Sequence, residues 1–433
     1  MFIVPKIIAR TDILARGGDL LRAAHRTRWA LADQVGISGL TFVTNVLLAR
    51  ILGIEEFGRY VLAWAVVAFV QNIQFSAISS NMMSLGPRHG PETSQAYFGA
   101  IFVHQGIFGA LSAAMTFLAG HLAAIAFPTL GLEVIALPLA AAVLCSQTQD
   151  FLRRYFFCVD RPELTFAIDC IRFLGQNLAL LAMLIWLPAN SATALWILSA
   201  FAAIASLVSL FWIPSLRFSY GSIISTGSRG WDFSKWLVAS TMLVLAVGNL
   251  FSFATGIMLG AAAVGAIKAA QNVVGVAHVV IEVGSNIIPP RATREFMSGG
   301  RPGLIHYLVK IAIYGVVIMS LVMGVFVFGR EYFLGLFFGV EFIAYQNLVP
   351  WWAAIEIAIF LSLAIGSFYR TIEHTKSIFA AHVLSAVVSI LAAYPLLSYF
   401  GITGAMLGLL TGQVVIIVYL LGMAGRSHAN AGT

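Results

Sequence analysis

Apolar runs of about twenty residues, separated by short polar segments, recur along the chain from residue 31 to residue 423. A helix of that length covers the roughly 30 Å hydrocarbon core of a bilayer, so the pattern predicts about twelve membrane-spanning helices. Their expected spans are 31–49, 60–83, 97–119, 132–150, 165–187, 192–213, 236–258, 264–289, 306–328, 346–368, 377–397 and 401–423. Prolines 128, 188, 214, 289, 290, 350 and 395 mostly fall near span ends, where a lost backbone donor costs least. Pro138 is the main exception. The longest polar break after the N-terminus, Pro214 to Lys235, divides six spans from six.

The polar positions inside the spans are also periodic. In span 8, Lys268, Gln271, Gly275, His278, Glu282 and Ser285 follow alternating spacings of three and four, which places them on one face of a helix. Gln34, Ser38, Thr41 and Asn45 form a similar stripe in span 1, and Gln71, Gln74 and Asn81 in span 2. Span 5 contributes Asp169, Arg172 and Gln176, in which the Asp and Arg either neutralise each other or contact a substrate. Glu356 in span 10 follows the interfacial pair Trp351 and Trp352 and has no cation three or four residues away. Ionisable groups at membrane depth point into the bundle or a water-filled cavity and mark function; packing glue between helices is the alternative. The candidate cavity residues are therefore Asn45, Gln71, Gln74, Asn81, Arg172, Lys268, Gln271 and His278. The ion-coupling candidates are Asp169, Glu282 and Glu356. Gly404, Gly408 and Gly412 form a small-residue stripe suited to close helix contact.

Composition agrees with the membrane reading: 60% of residues are hydrophobic, 10% are charged and the mean hydropathy is +0.92. On the predicted spans, one face of the membrane receives all but Arg50, Arg59, Lys268 and Arg330 of the 25 Lys and Arg residues. The positive-inside rule places that face, both termini and the linker in the cytoplasm. The formal charge of +7 then reflects orientation and contact with anionic lipid, and calls for no nucleic-acid partner. The expected organisation is a basic segment 1–30, a first lobe 31–213, a cytoplasmic linker 214–235, a second lobe 236–423 and a cytoplasmic tail 424–433. Segment 1–30 has no apolar h-region and so predicts no signal peptide; its alternating apolar and basic residues suit a helix lying on the inner membrane surface, or a flexible tail. Cys145, Cys158 and Cys170 lie too far apart for a CxxC metal or redox site. No nucleophile elbow, HExxH site or P-loop is present, and the reading requires neither cofactor nor metal.

One frame occurs twice. Leu52-Gly53-Ile54-Glu55-Glu56-Phe57-Gly58 returns 207 residues later as Leu259-Gly260-Ala261-Ala262-Ala263-Val264-Gly265. Both copies sit in predicted outer turns, where the glycines shape a hairpin. With six spans per half, the halves are expected to be related by an axis along the membrane normal. The stretch Ala49 to Tyr60, together with Gly339-Val340-Glu341-Phe342, resembles the polysaccharide transporters of O-antigen flippase type, within the multidrug/oligosaccharidyl-lipid/polysaccharide exporter superfamily. The resemblance implies an all-α polytopic fold of two six-helix lobes in a parallel repeat, working by alternating access through a central cavity. The implied cargo is an undecaprenyl-pyrophosphate-linked oligosaccharide crossing a bacterial inner membrane. Apart from the resemblance, the carboxylates Asp169, Glu282 and Glu356 are the expected sites for H+ or Na+ as a coupling ion. A drug or metabolite antiporter of the same fold is the alternative, and a membrane glycosyltransferase or polymerase stands third.

Overall fold

The computed structural model describes residues 4–126, 133–275 and 278–429. Within them, side chains are described from residue 36 to residue 423, apart from 91, 92, 126, 233, 240, 243, 244, 246, 247, 278–280, 282–287, 290 and 375. Among the described residues, regular structure is entirely helical. Helix α1 (Val4–Gln74) passes through a π-turn (Phe75–Ser79) into α2 (Ser80–Leu85). Then follow α3 (Pro91–Ala126), α4 (Ala136–Cys158), α5 (Pro162–Trp186), α6 (Ser191–Leu210), α7 (Tyr220–Leu259) and α8 (Ala261–Val274). The chain continues through α9 (His278–Phe328), the short α10 (Arg330–Phe337), α11 (Leu348–Thr371) and α12 (Thr375–Ala429).

Each of the twelve predicted spans falls on helix over most of its length. Seven helical stretches among the described residues are long and apolar enough to cross a membrane, including Gly36–Arg88 (53 residues) and Lys376–Met423 (48 residues). At 1.5 Å per residue, those two are roughly 70–80 Å of helix, more than twice the bilayer core. Each therefore holds two crossings, and the backbone breaks accordingly, at Gly53 (φ 73°) and Gly401 (φ 56°). Pro138 lies in the first turn of α4, where its missing N–H would have had no helical acceptor.

Helix α5 displays the inversion that a bilayer imposes. Leu174, Leu178, Leu181, Leu184 and Ile185 are exposed, Leu178 by 67%, while Asp169 on the inner face is 3% exposed. An apolar outside and a polar inside is the arrangement that hydrocarbon favours.

The chain packs as two compact units. The first comprises Met1–Asn45, Val66–Ile125 and Leu132–Thr241; the second comprises Val46–Ala65, Ala126–Gly131 and Met242–Thr433. In the first, aromatic rings from α3 and α4 interlock edge to face: Phe98 and Phe102 lie 5.2 and 5.3 Å from Tyr155 between centroids. In the second, α11 packs along α9 and α12, and Gly408 admits the Phe251 ring so closely that a Cβ would meet it at 2.0 Å.

The internal repeat is visible in the backbone. Helices α4 and α11, which carry spans 4 and 10, end identically: Arg161 N donates to Phe156 O (2.8 Å), and His374 N donates to Tyr369 O (2.9 Å). These are Schellman bonds, and the left-handed residues that permit them are Asp160 (φ 63°) and Glu373 (φ 58°). Gly53 and Gly260 form a second matched pair, at φ 73° and 88°.

Both copies of the glycine frame lie in the second unit and pack on each other. A Cβ on Gly58 would sit 1.8 Å from Ala261 O, and one on Gly265 would sit 2.4 Å from Ile54 O. Ile54 and Ala261 occupy equivalent positions in the two copies, so the contact is reciprocal. Within each frame the first glycine turns the chain and the second lets two helices touch.

Candidate functional site

In the first unit, the polar stripe of α5 meets a matching stripe on α4. Asp169 accepts from Arg153 Nε (2.7 Å) and Gln149 Nε2 (2.7 Å). Arg172 donates to Gln149 Oε1 and to Ser146 Oγ (3.3 Å), and its guanidinium lies 5.0 Å from the Phe173 ring. Gln71 reaches Ser146 O (3.2 Å), while Gln176 and Asn177 share the Thr44 hydroxyl at 3.1 Å each. Asp169, Arg172, Gln149, Ser146, Gln176 and Thr44 are all buried. Low dielectric strengthens the bonds that are made, and these tie α1, α4 and α5 together, while Gln176 Oε1 is left buried without a partner.

In the second unit, Lys268 donates to Gln271 Oε1 at 2.8 Å on α8. Helix α11 is fixed against α8 by Trp352 Nε1, which donates to Ile267 O (3.0 Å). One turn beyond Trp352, the 3% exposed carboxylate of Glu356 acts electrostatically on Lys268. The cation that sequence spacing did not supply to Glu356 thus comes from another helix. Lys268, Gln271 and Glu356 form a charged cluster inside the unit.

The remaining candidates are dispersed. Asn45 Nδ2 donates to Thr41 O (3.1 Å) within its own helix. Gln74 bonds Ser79 Oγ (2.9 Å) and Gln105 Oε1 (2.8 Å), and Asn81 bonds Ala77 O and Gly230 O (2.8 and 3.0 Å). The π-turn between Gln74 and Asn81 inserts one extra residue. The even spacing assumed for the span 2 stripe does not hold past Ser79. The side chains of His278 and Glu282 lie outside the described residues.

The two segments that carry the family resemblance are clamped together. Arg50 Nε donates to Phe337 O (2.9 Å), and its Nη2 to Leu336 O, capping the C-terminus of α10. Glu341 Oε2 accepts from Ile54 N (3.3 Å), and the Phe57 and Phe342 rings meet edge to face at 6.1 Å. Arg59 is paired with Glu55 and Glu56. These are structural contacts of an interhelical turn.

Residues 47–294 match the family model of polysaccharide biosynthesis proteins. The chain belongs to that family. The fold is also that of the lipid II flippase MurJ in an inward closed conformation (TM-score 0.66, 12% identity, covering 92% of this chain and 87% of that one). An inward-facing multidrug resistance MATE family transporter of the MOP superfamily is similar as well (TM-score 0.70, 13% identity, 91% and 95%). So is a MOP superfamily transporter from Pyrococcus furiosus (TM-score 0.59, 11% identity, 94% and 95%). A search of curated proteins finds no match. This member of the polysaccharide biosynthesis family is therefore an all-α, multi-pass membrane protein with a MOP-type fold.

Arg153, Gln149 and Ser146 are the residues that sequence reasoning missed. Their signal was present: the three follow spacings of three and four, as the stripe on α5 does. Assigning Arg153 to a cytoplasmic loop hid it, because α4 continues to Cys158.

Proposed function

We propose that this protein is a flippase that moves an undecaprenyl-pyrophosphate-linked oligosaccharide from the inner to the outer leaflet of a bacterial inner membrane by alternating access. The supporting observation is the family match over residues 47–294 on a chain with a MOP transporter fold. A polysaccharide pathway needs a step that carries its lipid-linked intermediates across the bilayer, and this fold suits passage rather than bond making. The protein performs no chemistry on its cargo. Both termini and the linker lie in the cytoplasm, as the basic residues favour.

Lys268, Gln271 and Glu356 are the proposed coupling cluster. A proton or Na+ reaching Glu356 weakens its hold on Lys268 and so biases one facing state over the other. Asn45, Gln71 and His278 are proposed cargo contacts. The experiment is deletion of the gene followed by assay of lipid-linked oligosaccharide on each leaflet. Inner-leaflet accumulation, reversed by the intact gene and not by a Glu356→Gln copy, is the expected result. No accumulation, with raised sensitivity to cationic drugs, would instead favour the multidrug antiporter, a reading to which the buried Glu356 also lends support.

A further inference from the structure

The polar segment 214–235, expected from the sequence to be a cytoplasmic linker, is helical from Tyr220 onward and forms the first turns of α7. Those turns have three faces. Ile223, Gly227, Gly230 and Ser234, at spacings of four, three and four, share one face, and it is docked on the first unit. Gly230 O accepts from Asn81 Nδ2 (3.0 Å), a Cβ on Gly227 would meet His104 Nε2 at 3.0 Å, and Ser234 is 1% exposed. Just before the helix, Arg217 N donates to Gln95 O (3.2 Å).

The second face carries Tyr220, Ile224 and Trp231, spaced by four and seven, and they are 80%, 54% and 59% exposed. The third carries Ser225, Arg229 and Asp232, also exposed, about a third of a turn further round. A helix in water would do the reverse, burying its aromatic residues and leaving glycine and serine outside. Depth supplies the reason. Asn81 lies in predicted span 60–83, and His104 lies seven residues into predicted span 97–119, about 10 Å along it. Turns of α7 that rest on both stand level with the edge of the hydrocarbon, not beyond it. Charge points the same way: residues 214–236 carry Arg217, Arg229 and Lys235 against Asp232 alone, which suits an anionic surface.

We propose that the first turns of α7 are an interfacial helix in the headgroup layer of the bilayer, with anionic phospholipid as its partner. Tyr220, Ile224 and Trp231 enter the lipid, Ser225 and Asp232 face water, and Arg217 and Arg229 meet the lipid phosphates. That the leaflet is the inner one rests on the proposed orientation; the contact with lipid does not.

The test uses the full-length protein in liposomes, in a Cys145→Ser/Cys158→Ser/Cys170→Ser background. Spin labels are placed singly at Tyr220→Cys, Ile224→Cys and Ser225→Cys, all at exposed positions. Labels at 220 and 224 are expected to collide with dissolved oxygen more than with a water-soluble nickel complex, and the label at 225 to show the opposite preference. Replacing phosphatidylglycerol with phosphatidylcholine should raise the nickel accessibility at 224 about fivefold, and Arg229→Gln in phosphatidylglycerol should act in the same direction. Labelling of Ser225→Cys by an impermeant thiol reagent, in intact cells and in inverted vesicles, reads the leaflet separately. If the label at 224 is as open to nickel as that at 225, the turns stand in water and the proposal is overturned. Shielding of 220 and 224 from both reagents would overturn it too, by showing a protein partner on that face. Indifference to lipid charge would overturn the assignment to anionic lipid.

Discussion

Glu341 accepts a hydrogen bond from the backbone amide of Ile54 at 3.3 Å, across 287 residues of chain. Ile54 opens the helical segment that follows the Gly53 turn, and the first amides of such a segment have no internal acceptor. A carboxylate placed there satisfies one of them and opposes the positive end of the helix dipole. Arg50, four residues earlier, performs the converse task at the end of α10.

Glu341→Ala is accordingly expected to cost about 1 kcal/mol. Arg50→Ala should also destabilise, and the double variant should lose less than the sum of the two, because both side chains hold one joint. Thermal unfolding in detergent, run as a double-mutant cycle, measures this; strict additivity would refute the joint.

Gly58→Ala and Gly265→Ala should be the most damaging glycine substitutions in the two glycine frames. Each new Cβ meets a carbonyl oxygen well inside contact distance, and neither backbone can yield without parting two helices. Gly260→Ala acts differently, through its φ of 88°, and should cost about 1–2 kcal/mol. Gly39→Ala, with nothing within 4 Å of the new Cβ, is the neutral control. The monodisperse fraction in size-exclusion chromatography ranks the four.

The glycine frame shows what the sequence made readable. Its 207-residue repeat foretold matched turns, and Gly53 and Gly260 supply them. The mutual contact of Gly58 with Gly265's neighbourhood was hidden, because spacing along a chain says nothing about which distant turn a residue meets. Asp169 shows the same limit from the other side. Its stripe was evident on α5, while its partners Arg153 and Gln149 belong to a helix whose end was placed too early. The π-turn at Phe75–Ser79 left no compositional trace at all, since a single inserted residue changes geometry without changing hydropathy.

Asp169→Asn should destabilise the first unit by about 3 kcal/mol, because it strands Arg153 and disturbs the buried Gln149–Arg172 contacts. Combining it with Arg153→Gln should recover part of the loss by removing the stranded charge. Thermal unfolding of the single and double variants decides. A double variant no more stable than Asp169→Asn would show that the pair is not the source of the effect.

Cys158, beyond the end of predicted span 4, donates to Met82 O (3.3 Å), and burial pushes its thiol up to about 11. In a Cys145→Ser/Cys170→Ser background, alkylation at pH 8 should be roughly a hundredfold slower than for a free thiol, and should accelerate about tenfold per pH unit up to pH 11. Because the unfolded thiol ionises first, stability should decline as pH rises from about 9 toward 11. Rapid labelling of the folded protein at pH 8 would show the thiol to be accessible and ionised.

The assignment of Val46–Ala65 to the second unit has a consequence for synthesis. That segment leaves the ribosome before the rest of its unit, whose main stretch begins at Met242. At 5–20 residues per second, an interval of about 180 residues lasts roughly 10–40 s. Throughout that time Gly58 has no Ala261 to rest against and Ile54 has no Glu341. The first hairpin must therefore wait in the membrane with its helix-contact face unfilled, and the glycines that make it fit are idle until the second copy of the same frame is translated.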